Sequence, residues 1–258
     1  MKKIDLNCDM GESFGAYKLG MDEKVIQYIT SANIACGWHA GDPMVMDKTV
    51  KMAVEYGVSV GVHPGYPDLL GFGRRNMDCI PDEIRNYVVY QIGALQGYCK
   101  VYDTRLRHVK PHGALYLTAV VNEEVARAVA EAIVSIDSNL LYVALAGAKG
   151  AMMTRIGNDV GLKVIYEAFP DRAYTPEGNL LSRREPGAVI KEPGEVTERA
   201  LRMVLEKRVI AVDGSSIPFE VDTLCVHGDT PTAVELTKSI REALESEGVE
   251  LSPMRAMD

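Results

Sequence analysis

The sequence predicts an α/β fold, a TIM-like barrel of about seven parallel strands. Apolar runs of strand length alternate with longer segments of helical period along the chain, which is the pattern of repeated βα units around a parallel sheet. Histidines and carboxylates recur where these runs give way to turns with glycine or proline. In a parallel barrel these strand ends share one rim. An open doubly wound sheet is the alternative.

The strands are predicted near residues 3–8, 32–37, 58–62, 107–110, 141–146, 163–168 and 223–227. The helices are predicted at about 22–30, 43–56, 82–102, 122–136, 148–158, 194–206 and 230–246. Three of these helices begin with typical N-terminal residues, namely Asp42-Pro43, Pro81-Asp82-Glu83 and Thr230-Pro231. The alternation breaks at 169–194, which we interpret as a functional loop. A strand pair is predicted around Asp213-Gly214.

The composition is that of an ordinary globular protein, with 258 residues, 47% hydrophobic and 25% charged. We expect one barrel domain over residues 1–258, since single α/β barrels commonly have about 250 residues. The net charge of -8 argues against nucleic-acid and membrane partners and favours a small-molecule substrate. The N-terminus lacks an apolar signal segment, and no uncharged run could span a bilayer. We therefore expect a cytoplasmic protein.

Several familiar motifs are absent from the sequence. The five cysteines form no CxxC pair and their number is odd, so neither a disulfide framework nor a zinc ribbon is indicated. Cys8, Cys36 and Cys225 lie in apolar runs, and we assign them structural roles. The sequence contains no P-loop, dinucleotide-binding turn, HExxH or GxSxG motif. We therefore predict that this chain alone has no nucleotide site.

The first predicted strand carries polar residues on one face. Side chains alternate along a strand, so Asp5, Asn7 and Asp9 point to one side and the apolar residues between them to the other. Burying carboxylates is costly unless they are paired, hydrogen-bonded or bound to a cation. A hydrogen-bonded core network is the structural interpretation. The functional one makes Asp9 a general base or metal ligand, with Glu12 extending the cluster.

Two histidines follow the second and third predicted strands. His39 lies in a turn of small residues, where Asp42 could orient its imidazole. His63 ends an apolar strand directly before Pro-Gly, so its polarity has no packing reason. Downstream, Arg74 and Arg75 form a basic loop suited to a carboxylate or phosphate.

The fourth predicted strand ends in HVKPHG. His108, Lys110 and His112 share one face, and we assign His108 a structural role. A lysine at this place serves an anion or has a depressed pKa. We therefore predict functional roles for Lys110 and His112.

The last two predicted strands end in further charged groups. Glu167, Asp171 and Arg172 lead into the long loop, where the arginine could bind a carboxylate through two hydrogen bonds. His227 and Asp229 share the inward parity of the final strand, which would place them close to the first strand in a closed barrel.

Together, the segments DLNCDMGE, NIACGWHAGDP, GVHPGYPD with GFGRR, VKPHGALY, FPDRAY with LSRREPGAVI, and CVHGD resemble the LamB/YcsF family over residues 3–241. Its members are the A subunits of bacterial ATP-dependent 5-oxoprolinase. The resemblance implies a barrel related to glycoside hydrolases and polysaccharide deacetylases. It also implies that 5-oxo-L-proline, ATP and water give L-glutamate, ADP and phosphate, with B and C partner subunits. Association of this chain with further copies of itself is a second possible arrangement.

A lactam is stabilised by resonance, and phosphorylation of its oxygen would make the ring carbon a better electrophile for water. The acidic, basic and cationic residues described above agree with such a reaction. The candidate catalytic residues are Asp9, Glu12, His39, His63, Lys110, His112, Glu167, His227 and Asp229. The candidate substrate-binding residues are Asn7, Arg74, Arg75, Asp171 and Arg172. Because this chain has no ATP motif, we expect ATP to be bound mainly by the partners.

A divalent metal is a further expectation from the resemblance. The related deacetylases use one aspartate and two histidines, and Asp9, His39 and His63 are the corresponding candidates. This chain departs from that pattern because its histidines follow different strands. The alternative functions are a stand-alone metal-dependent hydrolase of amides or N-acetyl sugars and a non-catalytic organising subunit.

Overall fold

Seven parallel strands close into a barrel in the computed structural model of this protein, which describes residues 2–228 and 232–254. The barrel strands are β1 (Lys3–Met10), β2 (Ser31–Ala35), β3 (Ser59–His63), β4 (Leu106–Val109), β5 (Leu141–Leu145), β6 (Val164–Ala168) and β9 (Thr223–Val226). Strand β1 pairs in parallel with both β2 and β9, which closes the sheet. The predicted barrel is confirmed, and the open-sheet alternative is wrong.

Eight α-helices occur in the part of the chain that the structure describes. They are α1 (Asp22–Val25), α2 (Pro43–Glu55), α3 (Pro81–Val101), α4 (Gly113–Val121), α5 (Glu123–Ile136), α6 (Ala151–Asp159), α7 (Pro193–Leu205) and α8 (Ala233–Ser246). Helix α4 was not predicted, because GALYLTAVV is apolar throughout and has no polar face to reveal its period. Asn122 then caps α5, accepting from the backbone N–H groups of Glu124 and Val125.

The remaining elements are short. The predicted helix over 22–30 is α1 followed by a 3-10 turn, Ile26–Tyr28. Strands β7 (Arg208–Ile210) and β8 (Ser216–Pro218) form the predicted hairpin around Asp213-Gly214, and Gly214 has the positive φ of 86° that such a turn requires. Strand β10 (Glu250–Leu251) pairs with the start of β1. Its two residues are too few to give a periodic signal.

The barrel interior is polar. The apolar residues of β1 belong to the hydrophobic core, whereas Asp5, Asn7 and Asp9 are buried and hydrogen-bonded to other strands. Asp5 Oδ1 accepts hydrogen bonds from Thr30 at 2.7 Å and Ser31 at 2.6 Å. The alternation seen in the sequence therefore separates an apolar outer layer from a hydrogen-bonded lumen.

No helix within residues 2–228 and 232–254 is long and apolar enough to cross a membrane.

Candidate active site at the mouth of the barrel

The carboxyl ends of the strands surround a cavity of about 600 Å³. The predicted residues in its wall are Asp9, His63, Arg74, Arg75, Lys110, His112, Arg172 and His227. Tyr116, Phe169, Arg183 and Arg184 line it as well. The cavity has the size and the few convergent polar groups typical of small-molecule sites.

Lys110 is the central cation of the site. Its Nζ atom lies 2.8 Å from Asp9 Oδ1, 3.1 Å from Glu167 Oε1 and 2.9 Å from Cys225 Sγ. Burial by itself would lower the pKa of Lys110, but the charges of Asp9 and Glu167 outweigh it and hold the pKa well above its usual value. Lys110 is therefore an ammonium ion, and the predicted alternative of a depressed pKa does not apply.

Asp9 is held in its ionised form. Its Oδ1 accepts from Lys110 and, at 2.8 Å, from Asn33 Nδ2, while its Oδ2 lies 3.3 Å from His63 Nε2. Burial opposes ionisation, but His63 and Lys110 together keep the pKa of Asp9 well below its usual range. Oδ2 is the oxygen nearer the histidines, and Asp9 is part of the cavity wall. This oxygen can accept a proton from a bound molecule.

His63 and His112 face each other through ring nitrogens. His63 Nε2 lies 2.9 Å from His112 Nδ1. The distal nitrogens contact backbone carbonyls: His63 Nδ1 lies 2.7 Å from the oxygen of Lys110, and His112 Nε2 lies 2.8 Å from that of Phe72. Burial lowers the pKa of His112 well below its usual value. Both rings are thus fixed in orientation.

His39 and Glu12 lie beside this pair. The His39 ring is fully buried and stacks on His112, with centroids 3.7 Å apart and planes 3° from parallel. Its Nε2 lies 3.6 Å from Glu12 Oε1, and neither ring nitrogen has a hydrogen-bond partner among the described residues. Asp42 does not orient His39, because its carboxylate caps α2 and accepts from the N–H of Gly15. That expectation is wrong.

His227 follows β9, and one of its ring nitrogens lies within 4.8 Å of ligand atoms of Asp9 and Cys225. Its Nδ1 lies 2.7 Å from Asp171 Oδ2, and its ring stacks on Phe169 with a centroid distance of 5.4 Å. Burial opposes ionisation of Asp171, but the neighbouring His227 dominates and lowers its pKa. Nδ1 therefore carries the proton that Asp171 accepts. Asp229 lies outside the described residues.

The arginines differ in what they contact. Arg172 donates to the backbone carbonyls of Leu181 and Ala188, so it holds the long loop in place, and burial lowers its pKa to about 10. Arg75 pairs with Asp68. Arg74 lies over the Phe72 ring at 4.8 Å. Together with Arg183 and Arg184, these side chains make the outer wall of the cavity cationic.

Some side chains of the site were missed or given a different role. Asn33 was not predicted, although it has the inward parity of β2 and bridges Asn7 and Asp9. Cys225 was assigned to structure; it is a buried thiol, but it contacts Lys110. Asn7 was predicted to bind substrate, yet it is fully buried and donates to Glu167 Oε1 at 3.1 Å. Asn7 therefore positions Glu167 and is not among the residues that line the cavity.

Two groups of side chains are candidate metal-binding sites in the described chain. The ligand atoms of each group lie within 4.8 Å of one another, and the groups are Glu12 with His39, His63 and His112, and Asp9 with Cys225 and His227. The predicted set of Asp9, His39 and His63 is thus divided between them. Imidazole and carboxylate are suitable donors for zinc and similar ions.

The orientation of these groups limits which of their side chains could hold one metal ion together. Lone pairs of imidazole lie in the ring plane, so the parallel, stacked rings of His39 and His112 cannot both point at one ion. The 2.9 Å between His63 Nε2 and His112 Nδ1 is a hydrogen-bond distance, shorter than the roughly 3.3 Å that separates two nitrogens on a tetrahedral zinc ion. In the second group, the Lys110 ammonium already contacts Asp9 and Cys225.

These features define a parallel α/β barrel protein with a buried acid–base cluster and a cationic mouth. The chain belongs to the LamB/YcsF family, which it matches over residues 4–258. It is 55% identical to the A subunit of 5-oxoprolinase from Pyrococcus abyssi over 98% of both chains.

Two solved structures are also similar to this chain. The crystal structure of the lactam utilization protein from Thermus thermophilus is 46% identical and has a TM-score of 0.91, with coverage of 98% of this chain and 100% of that one. The peptidoglycan deacetylase PdaC from Bacillus subtilis is 12% identical, with a TM-score of 0.50 and coverage of 98% and 87%. This second similarity concerns the fold alone, and it agrees with the expected relation to the deacetylase barrels.

Proposed function

We propose that this protein is the A subunit of an ATP-dependent 5-oxoprolinase and opens the lactam ring of 5-oxo-L-proline to give L-glutamate. The observation that carries this proposal is the meeting of ionised Asp9, the His63–His112 pair and Lys110 in the wall of one small cavity. Relatives at 55% identity are named for this reaction. The site supplies a base, an acid and a fixed positive charge, which ring opening by water requires.

The roles follow from the contacts. Asp9 Oδ2 takes a proton from the attacking water, while its other oxygen is held by Lys110 and Asn33. The histidines supply a proton to the departing ring nitrogen. The phosphoryl group stays on the carboxyl oxygen when the C–N bond breaks, and a second water hydrolyses this acyl phosphate to glutamate and inorganic phosphate. Lys110 keeps the carboxylate ionised and stabilises negative charge that develops nearby. Glu167 and Asp171 hold Lys110 and His227.

The cationic outer wall is assigned to the anionic groups of the substrate. 5-Oxoproline carries one carboxylate, and its phosphorylated form carries a phosphoryl group as well. Arg74, Arg183 and Arg184 all line the cavity, and guanidinium groups suit both anions. Arg172 and Arg75 act less directly, because backbone carbonyls and Asp68 occupy their donors.

In this proposal, ATP is bound mainly by the partner subunits. The sequence of this chain contains neither a P-loop nor a dinucleotide-binding turn. We therefore assign phosphorylation of the lactam oxygen mainly to the B and C subunits, and the hydrolytic step to this chain. A cytoplasmic location, as predicted, agrees with an ATP-dependent reaction. The choice between a heteromeric complex alone and one that also contains a homo-oligomer of this chain is left to the measurement of subunit stoichiometry.

The deciding experiment compares 5-oxoproline turnover by this chain alone, by B and C alone, and by the three together, with glutamate and phosphate measured in each reaction. We expect turnover only with all three. Asp9→Asn should reduce it at least about 100-fold, as expected for loss of a general base, whereas Glu177→Gln on the exposed part of the long loop should not. Full activity of Asp9→Asn would favour a non-catalytic organising role. ATP-independent activity of the chain alone, lost on chelation, would favour a metal-dependent hydrolase.

A further inference from the structure

Arg199 is a buried arginine of α7 whose guanidinium group contacts the backbone next to the barrel mouth. Its Nε atom donates to the oxygen of Pro170 at 2.9 Å, and its Nη2 atom donates to the oxygen of Arg172 at 2.6 Å. Only 9% of the residue is exposed. A buried charge is costly unless hydrogen bonds compensate for its lost hydration. The compensating acceptors here are the two carbonyls on either side of Asp171.

The backbone that Arg199 holds is a tight turn directly after β6. The N–H of Arg172 donates to the oxygen of Phe169 at 3.2 Å. Pro170 and Asp171 are thus the central residues of the turn, and proline suits the first of these positions because its φ is fixed. The oxygen of Asp171 accepts from the N–H of residue 190 at 2.9 Å. Three successive carbonyls therefore accept hydrogen bonds, the outer two from one guanidinium group.

This turn carries the carboxylate that contacts His227. Asp171 Oδ2 lies 2.7 Å from His227 Nδ1 and accepts from the backbone N–H of the same histidine at 3.4 Å. A single methylene group separates the carboxylate of an aspartate from its backbone. The place of the Asp171 oxygens, and with it the place of the His227 ring, therefore follows the position of the turn.

We infer that Arg199 is a positioning residue for the reaction, because it fixes the turn that holds the Asp171 carboxylate against His227. The planar guanidinium group presents its N–H groups in a fixed fork, so one side chain binds two carbonyls that lie two residues apart. A lysine ammonium is a compact charge on a flexible stem and does not reproduce this geometry. The inference deepens the proposed function and rests on it, since it gives a use to the position of His227 in the cavity wall.

Arg199 also borders a second cavity, of about 320 Å³, behind the turn. Arg202, Glu195 and Glu198 contribute to its wall, and both glutamates are exposed. In the described part of the chain, the residues that line this cavity are different from those that line the cavity at the barrel mouth. A small guanidinium compound can therefore replace a missing Arg199 side chain without entering the catalytic cavity.

The test uses Arg199→Ala in the complete mixture of this chain with the B and C subunits. We expect kcat for 5-oxoproline to fall about 10- to 100-fold with a smaller change in KM, as for loss of alignment at a distance from the reacting atoms. Methylguanidinium at millimolar concentration should restore part of kcat, whereas methylammonium should not. Arg202→Ala is the matched control, since Arg202 lines the same cavity but pairs with Glu198. It should keep wild-type kinetics with and without methylguanidinium.

A double mutant separates positioning from general stability. In the Asp171→Asn background, Arg199→Ala should change kcat much less than it does in the wild type, because both substitutions release the same histidine. Wild-type kcat in Arg199→Ala, or additive losses from the two substitutions, would overturn the inference.

A measurement on the isolated chain with ¹³C-labelled histidine does not depend on turnover. Arg199→Lys keeps the charge and most of the side-chain volume. Its nuclear magnetic resonance spectrum should show shifted ring resonances of His227, assigned with His227→Gln, and unchanged resonances of His108, which is buried and contacts Asn33. Arg202→Lys should change neither ring. A lysine variant at position 199 that does not fold, or that folds with unchanged His227 resonances, would show that Arg199 has no specific positioning role.

The two proposals can fail separately. Absence of 5-oxoproline turnover in the complete wild-type mixture would remove the proposed function, whereas shifted His227 resonances in the isolated chain would still show that Arg199 positions the ring. Turnover that is insensitive to Arg199 would remove the positioning role and leave the proposed function in place.

Discussion

Lys110 Nζ donates to Asp9 Oδ1 at 2.8 Å, although the two residues are 101 positions apart in the sequence. The ammonium is buried and also lies 3.1 Å from Glu167. A buried cation between two carboxylates is costly to remove, because the carboxylates are left uncompensated. We therefore expect loss of this ion pair to lower both the stability of the protein and its activity.

We expect Lys110→Met to lower the free energy of unfolding by about 3–5 kcal/mol and to abolish turnover. The measurement is urea unfolding together with 5-oxoproline hydrolysis by the reconstituted enzyme. Lys48→Met is the matched control, since Lys48 pairs with Glu23 on the exposed surface. Its unfolding free energy should stay within experimental error. Equal losses in both variants would contradict the central position of Lys110.

Gly61 leaves space for the imidazole ring of His108. A Cβ atom at Gly61 would lie 2.0 Å from His108 Nε2, the nitrogen that is 2.7 Å from Asn33 Oδ1. We expect Gly61→Ala to destabilise the protein by about 1–3 kcal/mol through overpacking and to reduce turnover, because Asn33 also holds Asp9.

Gly93→Ala provides the control for this substitution. Gly93 lies within α3 and a Cβ there meets nothing within 4 Å. This variant should be more stable by about 0.5–1 kcal/mol, as expected for glycine replaced in a helix. Thermal or urea unfolding of Gly61→Ala and Gly93→Ala measures both changes in stability. A stable, fully active Gly61→Ala protein would show that His108 can move without effect.

Asp5 gives a pH dependence of stability. Burial raises its pKa to about 6 from the ordinary value of 3.8. The folded protein therefore holds this proton more tightly than the unfolded chain, and the stabilisation is present at low pH and lost as the pH rises from about 4 to above 6. Asp5→Asn cannot titrate. The unfolding free energy of the wild type relative to this variant should thus decrease between pH 4 and 7, by at most about 3 kcal/mol. A difference independent of pH would refute the shift.

Asp171 fixes the ring of His227 through a contact of 2.7 Å. In Asp171→Asn an amide replaces the ionised acceptor, which favours the other tautomer of the histidine. We expect kcat to fall about 100-fold, with a smaller change in KM. Glu177→Gln, on an exposed part of the same loop, should retain wild-type kinetics. Equal kcat in Asp171→Asn and wild type would remove His227 from the reaction.

The sequence is sufficient to predict the barrel, because the periodicity of each strand reports on burial at every second residue. Thus Asp5, Asn7 and Asp9 were correctly placed on one buried face. Helix α4 was missed since its apolar residues have no contrasting face, and β10 since it has two residues. The extent of the domain, residues 1–258, stays a prediction.

The site is harder to predict than the fold. A histidine at a strand end can be recognised, but its partner depends on which strands become neighbours and on where the loops turn. The parallel stacking of His39 on His112 and the contact of Lys110 with Cys225 depend on such distances. Among the side chains that were missed, Asn33 had a usable signal, because it is a polar residue at inward parity in an apolar strand. The catalytic and substrate-binding roles of the predicted residues stay predictions.

Closure of the barrel by β9 bears on when the protein can act during its synthesis. This strand joins β1 to β6 and brings Cys225 and His227 to residues encoded more than 200 positions earlier. A nascent chain that lacks it has Lys110 and Asp9 without their enclosing wall. The reactive groups are therefore assembled only after the residues of β9 have left the ribosome, and a product terminated before this strand would be inert rather than partly active.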